Sequence, residues 1–194
     1  MKTTRLKTAI TSTVLFLIII WAVHFVNFLS GMRLSGFGIH PLHLDGLVGI
    51  VAAPFLHADF GHLVANSSIA MIVVFLIALS GRKILWMSSV VIALVAGLGT
   101  WLLGGPNTLH IGASGLIFGW LVFLIVRGLF THQILQILLG AGVLFTYGSV
   151  LWGVLPTTPG VSWQGHFFGA IGGLLAAWML GRKGTAAGLS MASV

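Results

Sequence analysis

Ser114-Gly115-Leu116-Ile117-Phe118-Gly119-Trp120-Leu121-Val122-Phe123-Leu124-Ile125-Val126-Arg127 carries one hydroxyl at its start, one charge at its end and apolar or glycine residues between. A helix that is hydrophobic all round needs an apolar surrounding. Continued through residues 128–130, the run approaches the roughly 20 residues that cross a bilayer. Five more such runs flank it, at about 9–29, 62–80, 84–103, 133–152 and 165–180. The whole chain agrees: of 194 residues 58% are hydrophobic and 6% charged, with a mean hydropathy of +1.12. About a quarter of the residues in a soluble domain are charged, so the bilayer is the solvent. The expected fold is an all-α polytopic membrane protein with a six-helix bundle. Its parts are a short basic N-terminus at 1–8, a single membrane domain at 9–183 and a flexible tail at 184–194.

The basic N-terminus followed by an apolar run imitates a signal peptide. The run exceeds the usual 7–15 residue core of such a signal, and no convincing small-x-small cleavage site follows. It reads as an uncleaved first span. Cysteine is absent, which excludes disulfides and thiolate metal sites. The net charge of +7 lies in single or paired basic residues between apolar runs, which reads as topology and lipid-headgroup signals and not as nucleic-acid binding.

Those charges orient the bundle. Lys2, Arg5 and Lys7 precede span one, Arg82 and Lys83 separate spans two and three, Arg127 ends span four, and Arg182 and Lys183 follow span six. With both termini cytoplasmic, every one of these faces the cytoplasm and only Arg33 lies outside, as the positive-inside rule requires. Spans two, four and six then begin at the outer face. His62 and Asn66 open span two, Ser114 opens span four and His166 opens span six, so parity alone gathers these groups at one depth.

A lone serine in a membrane helix commonly bonds to a carbonyl of the preceding turn. Ser114 differs in following Gly104-Gly105-Pro106-Asn107-Thr108-Leu109-His110, which cannot form regular helix. Irregular backbone at membrane depth lines a protein cavity, and a helix N-terminus favours a developing anion. His166 is an ionisable group inside a span, costly and therefore a functional hypothesis in need of a partner. Gly165, Gly169 and Gly173 repeat along one face of span six, and Gly115 and Gly119 do so on span four. Small-xxx-small faces allow close helix approach, which would bring His166 beside Ser114 for proton transfer. The only acids, Asp45 and Asp59, fall in the first external loop, so a Ser–His dyad is expected in place of a triad. The imidazole must then be held by packing, with Phe118 as its stacking partner. His62 and Asn66, four apart, share one helix face and suit an oxyanion site together with the Ser114 amide. His57, His62 and His110 match no compact metal motif, and no metal or cofactor is expected.

Residues 55–66 (Phe55-Leu56-His57-Ala58-Asp59-Phe60-Gly61-His62-Leu63-Val64-Ala65-Asn66), Gly112-Ala113-Ser114-Gly115, and Pro159-Gly160-Val161-Ser162-Trp163-Gln164-Gly165-His166 with Gly169 and Gly173 together resemble the rhomboid intramembrane serine proteases, in order, spacing and span number. The resemblance implies Ser114 as nucleophile, His166 as base and His62 with Asn66 at the oxyanion. Gly112, Ala113, Gly115 and Phe118 would bind substrate or pack the histidine. It implies the minimal six-helix bacterial form in the cytoplasmic membrane, opening to the outer side and cleaving transmembrane segments of single-span proteins that carry a small residue at the cut. Two departures stand out. Phe118 occupies a place where members often have tyrosine, and Met32-Arg33 stands where many have a Trp-Arg pair. The competing readings are an inactive helix-binding scaffold of the same family and, from another class, a small transporter, although no internal inverted repeat is visible. Substrate identity and oligomeric state are not encoded in any motif.

Overall fold

The computed structural model describes the backbone of residues 2–158 and 160–191 and the side chains of 3–158 and 160–181. Among the described residues it contains helices and turns, with one isolated bridge between Ile39 and His110 as the sole extended pairing. The long helices are α1 (Lys2–Leu29), α3 (Phe60–Ala78), α4 (Arg82–Leu103), α5 (Ser114–Thr131), α6 (Ile134–Tyr147) and α7 (Trp163–Met191), with a one-turn helix, α2 (Gly49–Ala52), among short 3-10 turns in the first loop. Five stretches among the described residues are long and apolar enough to cross a membrane: Thr3–Leu29, Phe60–Ala78, Arg82–Leu103, Ser114–Thr131 and Ile134–Val154. This is a polytopic membrane protein. α7 runs on to Met191, into the stretch read from sequence as a tail. Met1, Pro159 and residues 192–194 lie outside the described residues, as do the side chains of Lys2, Arg182 and Lys183 that entered the charge argument.

α5 is the centre of the bundle. Some 56% of its residues are buried, against 11% for the stretch containing α6. α7 packs along α5 and α4, and α1 along α3. The glycine faces legible in the sequence form the α5–α7 seam. A methyl on Gly169 would strike the Gly115 carbonyl, one on Gly173 the Gly119 carbonyl, and one on Gly119 would come within 2.7 Å of the Gly169 carbonyl. Only bare glycine backbone fits, and lipid offers no hydrophobic drive to replace that packing. Polar pins lock other pairs: Trp21 Nε1 donates to Ser67 Oγ across α1–α3, and Trp120 Nε1 to Ser89 Oγ across α5–α4, each at 3.0 Å. Arg127 lies a turn inside the end of α5. It is 9% exposed, with Nη1 donating to Ser80 Oγ at 2.7 Å and the guanidinium over the Phe123 ring.

The first loop is folded onto the helix ends. Asn27, fully buried near the end of α1, donates from Nδ2 to Ser35 Oγ and accepts the Leu34 N–H, both at 2.9 Å. Further along, Leu42 N–H donates to the Trp101 carbonyl and Trp101 Nε1 to the His43 carbonyl. Asp59 then caps α3 by accepting the His62 N–H at 2.8 Å, as a short carboxylate at the N-cap does.

Candidate active site

Ser114 begins α5 after an irregular stretch that ends in Gly112, whose φ is +122°. That left-handed backbone favours glycine. Space demands it as well: a Cβ there would stand 2.7 Å from His62 Nε2 and 3.6 Å from Asn66 Nδ2. The turn that bears Ser114 is thus pressed against the His62/Asn66 face of α3. Asn66 is 6% exposed, and its Nδ2 is a buried donor without a partner. A buried unpaired donor costs on the order of 1–3 kcal/mol, and such a group commonly awaits a ligand or water. On the other side, a methyl on Gly115 would lie 3.2 Å from the Gly165 carbonyl, so Ser114 is wedged between α3 and the first turn of α7. Ser114 is half-buried and lines a cavity of about 40 Å³ with Thr100, Gly112, Ser162 and Gly165. That is room for at least one water molecule.

His166 is 7% exposed and stacks on Phe118, with ring centroids 4.0 Å apart and planes 6° from parallel. Its Nδ1 lies 2.8 Å from the Gly153 carbonyl oxygen. A carbonyl only accepts, so Nδ1 carries the proton, and in the neutral ring Nε2 is left as the acceptor. Neither Ser114 Oγ nor His166 Nε2 makes a hydrogen bond within the described residues. Of the residues singled out from sequence, Gly112 lies against His62 and Asn66, Gly115 against Gly165 beside His166, and Phe118 on the His166 ring, with Ser114 on the turn between Gly112 and Gly115. Ala113 is fully buried, its carbonyl accepting the Ile117 N–H.

One expectation is refined. The sequence assigned the imidazole to packing alone, whereas the Gly153 carbonyl also orients it. Gly153 lies just beyond the run at 133–152 and belongs to no motif singled out from the sequence. A Cβ on it would sit 2.8 Å from Phe118 Cζ and 3.4 Å from His166 Nδ1, so the close approach needs glycine. No motif in the sequence could have announced a backbone acceptor. A second feature, also absent from the sequence reading, is a row of imidazoles behind His62. The His57 and His62 centroids are 5.2 Å apart, and those of His57 and His24 of α1 are 6.5 Å apart. His57 is fully buried, with neither ring nitrogen paired. Burial, and secondarily the neighbouring His62 and His24, push its pKa down to about 4, so it is neutral at physiological pH. The described residues hold no cluster of three His, Cys, Asp or Glu able to ligate a metal.

Two comparisons bear on this geometry. The uncharacterized protein Rv1337 of Mycobacterium tuberculosis strain H37Rv is 45% identical over 179 residues, covering 88% of this chain and 74% of that protein. The uncharacterized protein ML1171 of Mycobacterium leprae is 46% identical over 175 residues, covering 85% and 68%. The Rhomboid domain model matches residues 44–183, a span that holds the α3, α5 and α7 groups just described together with the loops that position them, and this chain belongs to the rhomboid family.

Proposed function

We propose that this protein is an intramembrane serine endopeptidase that cuts transmembrane segments through a Ser114–His166 dyad. The observation that carries the reading is the state of His166: stacked on Phe118, its Nδ1–H is held by the Gly153 carbonyl, which leaves Nε2 as the base for the hydroxyl at the start of α5. Nε2 takes the Ser114 proton as Oγ attacks the scissile carbonyl. The oxyanion receives hydrogen bonds from the unpaired Asn66 Nδ2, from His62 and from the first amides of α5, which have no partner within the helix. His166 then protonates the leaving amine. Water from the adjoining cavity hydrolyses the acyl-enzyme, and His166 is again the base.

In this reading α7 is the sixth span, both termini are cytoplasmic, and the site opens to the outer side of the bacterial cytoplasmic membrane. A substrate helix from a single-span protein enters laterally beside α6, the least buried of the five stretches, and unwinds at its outer end. No metal or cofactor takes part.

A fluorophosphonate probe tests the chemistry without a substrate helix. The native protein in detergent should label at Ser114, His166→Ala should label far more slowly, and Ser114→Ala should not label. Equal labelling of native protein and Ser114→Ala would contradict the assignment.

A further inference from the structure

His110 lies outside the groups assigned to the reaction, yet its side chain and backbone join all three segments that frame them. Its backbone pairs with Ile39 of the first loop, through Ile39 N–H to the His110 carbonyl at 2.9 Å and His110 N–H to the Ile39 carbonyl at 3.0 Å. Its ring, 9% exposed, lies with Nδ1 2.7 Å from Ser162 Oγ and Nε2 2.8 Å from Thr108 Oγ1. Ser162 is the residue before α7. Its hydroxyl accepts the Gly165 N–H at 3.4 Å and its carbonyl the His166 N–H at 3.2 Å, which makes it the N-cap of the helix that carries His166. His110 precedes Ser114 by four positions, and Ser162 precedes His166 by the same four.

One arrangement of protons satisfies every group. Gly165 N–H donates to Ser162 Oγ, Ser162 O–H to His110 Nδ1, His110 Nε2–H to Thr108 Oγ1, and Thr108 O–H to the Gly105 carbonyl at 2.6 Å. The opposite tautomer leaves Thr108 one proton for two acceptors, His110 Nε2 and the Gly105 carbonyl. A neutral imidazole, protonated on Nε2, therefore links the cap of α7 to the irregular backbone that delivers Ser114. Chains of this kind reinforce one another.

We propose that His110 is a positioning residue: through Ser162 it clamps the start of α7 to the loop before α5, and so sets the placement of His166 against Ser114. This rests on the proteolytic reading for its effect on rate, but the clamp itself is testable without any activity. Full-length native protein, Ser162→Ala, Ser162→Thr, His110→Phe and the double variant Ser162→Ala/His110→Phe are compared in nanodiscs. Hydrogen exchange is followed over residues 160–166, and kcat and KM are measured for a single-span substrate. Losing one hydrogen bond of the chain should speed exchange in Ser162→Ala by about tenfold. It should lower kcat by about tenfold with KM changed less than about twofold. The double variant should be no slower than the worse single variant, because both cut the same chain, and Ser162→Thr, which keeps the hydroxyl, should restore both readouts. Unchanged exchange in Ser162→Ala overturns the clamp. Faster exchange with native kcat, or strictly additive losses, overturns the positioning role. A native protein that does not cleave refutes the proteolytic reading and its rate effect, while exchange still decides the clamp.

Discussion

Gly153→Ala is the sharpest perturbation of the histidine's setting, because it adds one methyl and removes nothing. The added carbon would stand 2.8 Å from Phe118 Cζ and 3.4 Å from His166 Nδ1. Carbon pairs settle at about 3.5–4.0 Å, so the Phe118 ring must retreat by roughly 0.7 Å or more. Phe118 is 4% exposed and lies flat on the imidazole, so the retreat opens the stack or drags His166 away from the Gly153 carbonyl. Gly153 has no left-handed φ, so alanine introduces no backbone strain, and overpacking should cost about 1–3 kcal/mol of stability. The rate should suffer more, since misplacing a reacting group by about 1 Å can cost on the order of 100-fold. The assay is fluorophosphonate labelling of Ser114 beside thermal unfolding, with Gly142→Ala as the control, because a Cβ on Gly142 meets nothing within 4 Å. Labelling should slow by about 10–100-fold in Gly153→Ala and stay native in Gly142→Ala. A Gly153→Ala protein that labels at the native rate would refute the claim that Gly153 positions the base.

Further outcomes follow from the same contacts. Asn66→Ala removes the orphaned amide donor beside Gly112, so kcat in peptide-bond cleavage should fall by about 10²–10³ while thermal stability holds or rises; a large loss of stability with native kcat would make Asn66 structural. Gly169→Val drives a branched side chain into the Gly115 backbone and should unfold or strongly destabilise the protein in detergent, as read by size exclusion and melting; a native melting temperature would contradict the α5–α7 seam. His57 gives a pH signature. Its folded-state pKa of about 4 lies below the ordinary 6.5, so the unfolded chain takes up the proton first. The stability tied to neutral His57 is full above about pH 6.5 and falls as pH drops towards 4, by up to about 3 kcal/mol. His24, His62 and Asp59 surround it, so His57→Gln should flatten the melting-temperature profile between pH 7 and 4.5 without abolishing it; an unchanged profile would exclude His57 as its source.

Much of this geometry was readable from residue patterns because a bilayer constrains a chain tightly. Backbone polar groups must be satisfied within helices, so apolar runs locate them, and a serine, an asparagine and two histidines stand out as groups the solvent does not want. The glycine spacing on α5 and α7 was legible for the same reason, since only close backbone contact explains it. Helix ends were less so. α3 begins at Phe60 and not at His62 because Asp59 caps it, whereas the continuation of α5 past Arg127, to Thr131, lies within one residue of the extension read through 128–130. The groups that position His166 were invisible for a different reason. The Gly153 carbonyl is backbone, and the His110–Ser162 contact joins residues far apart in sequence, so no local pattern reports either. The imidazole row from His24 to His62 likewise depends on where α1 docks against the loop before α3.

The most direct test is cleavage of a single-span model substrate by purified protein in proteoliposomes, with Ser114→Ala in parallel and the fragments sequenced. The account predicts fragments from the native protein alone, cut at one place near the outer membrane face. Intact substrate with folded native protein across several substrate helices, or equal cleavage by Ser114→Ala, would contradict it.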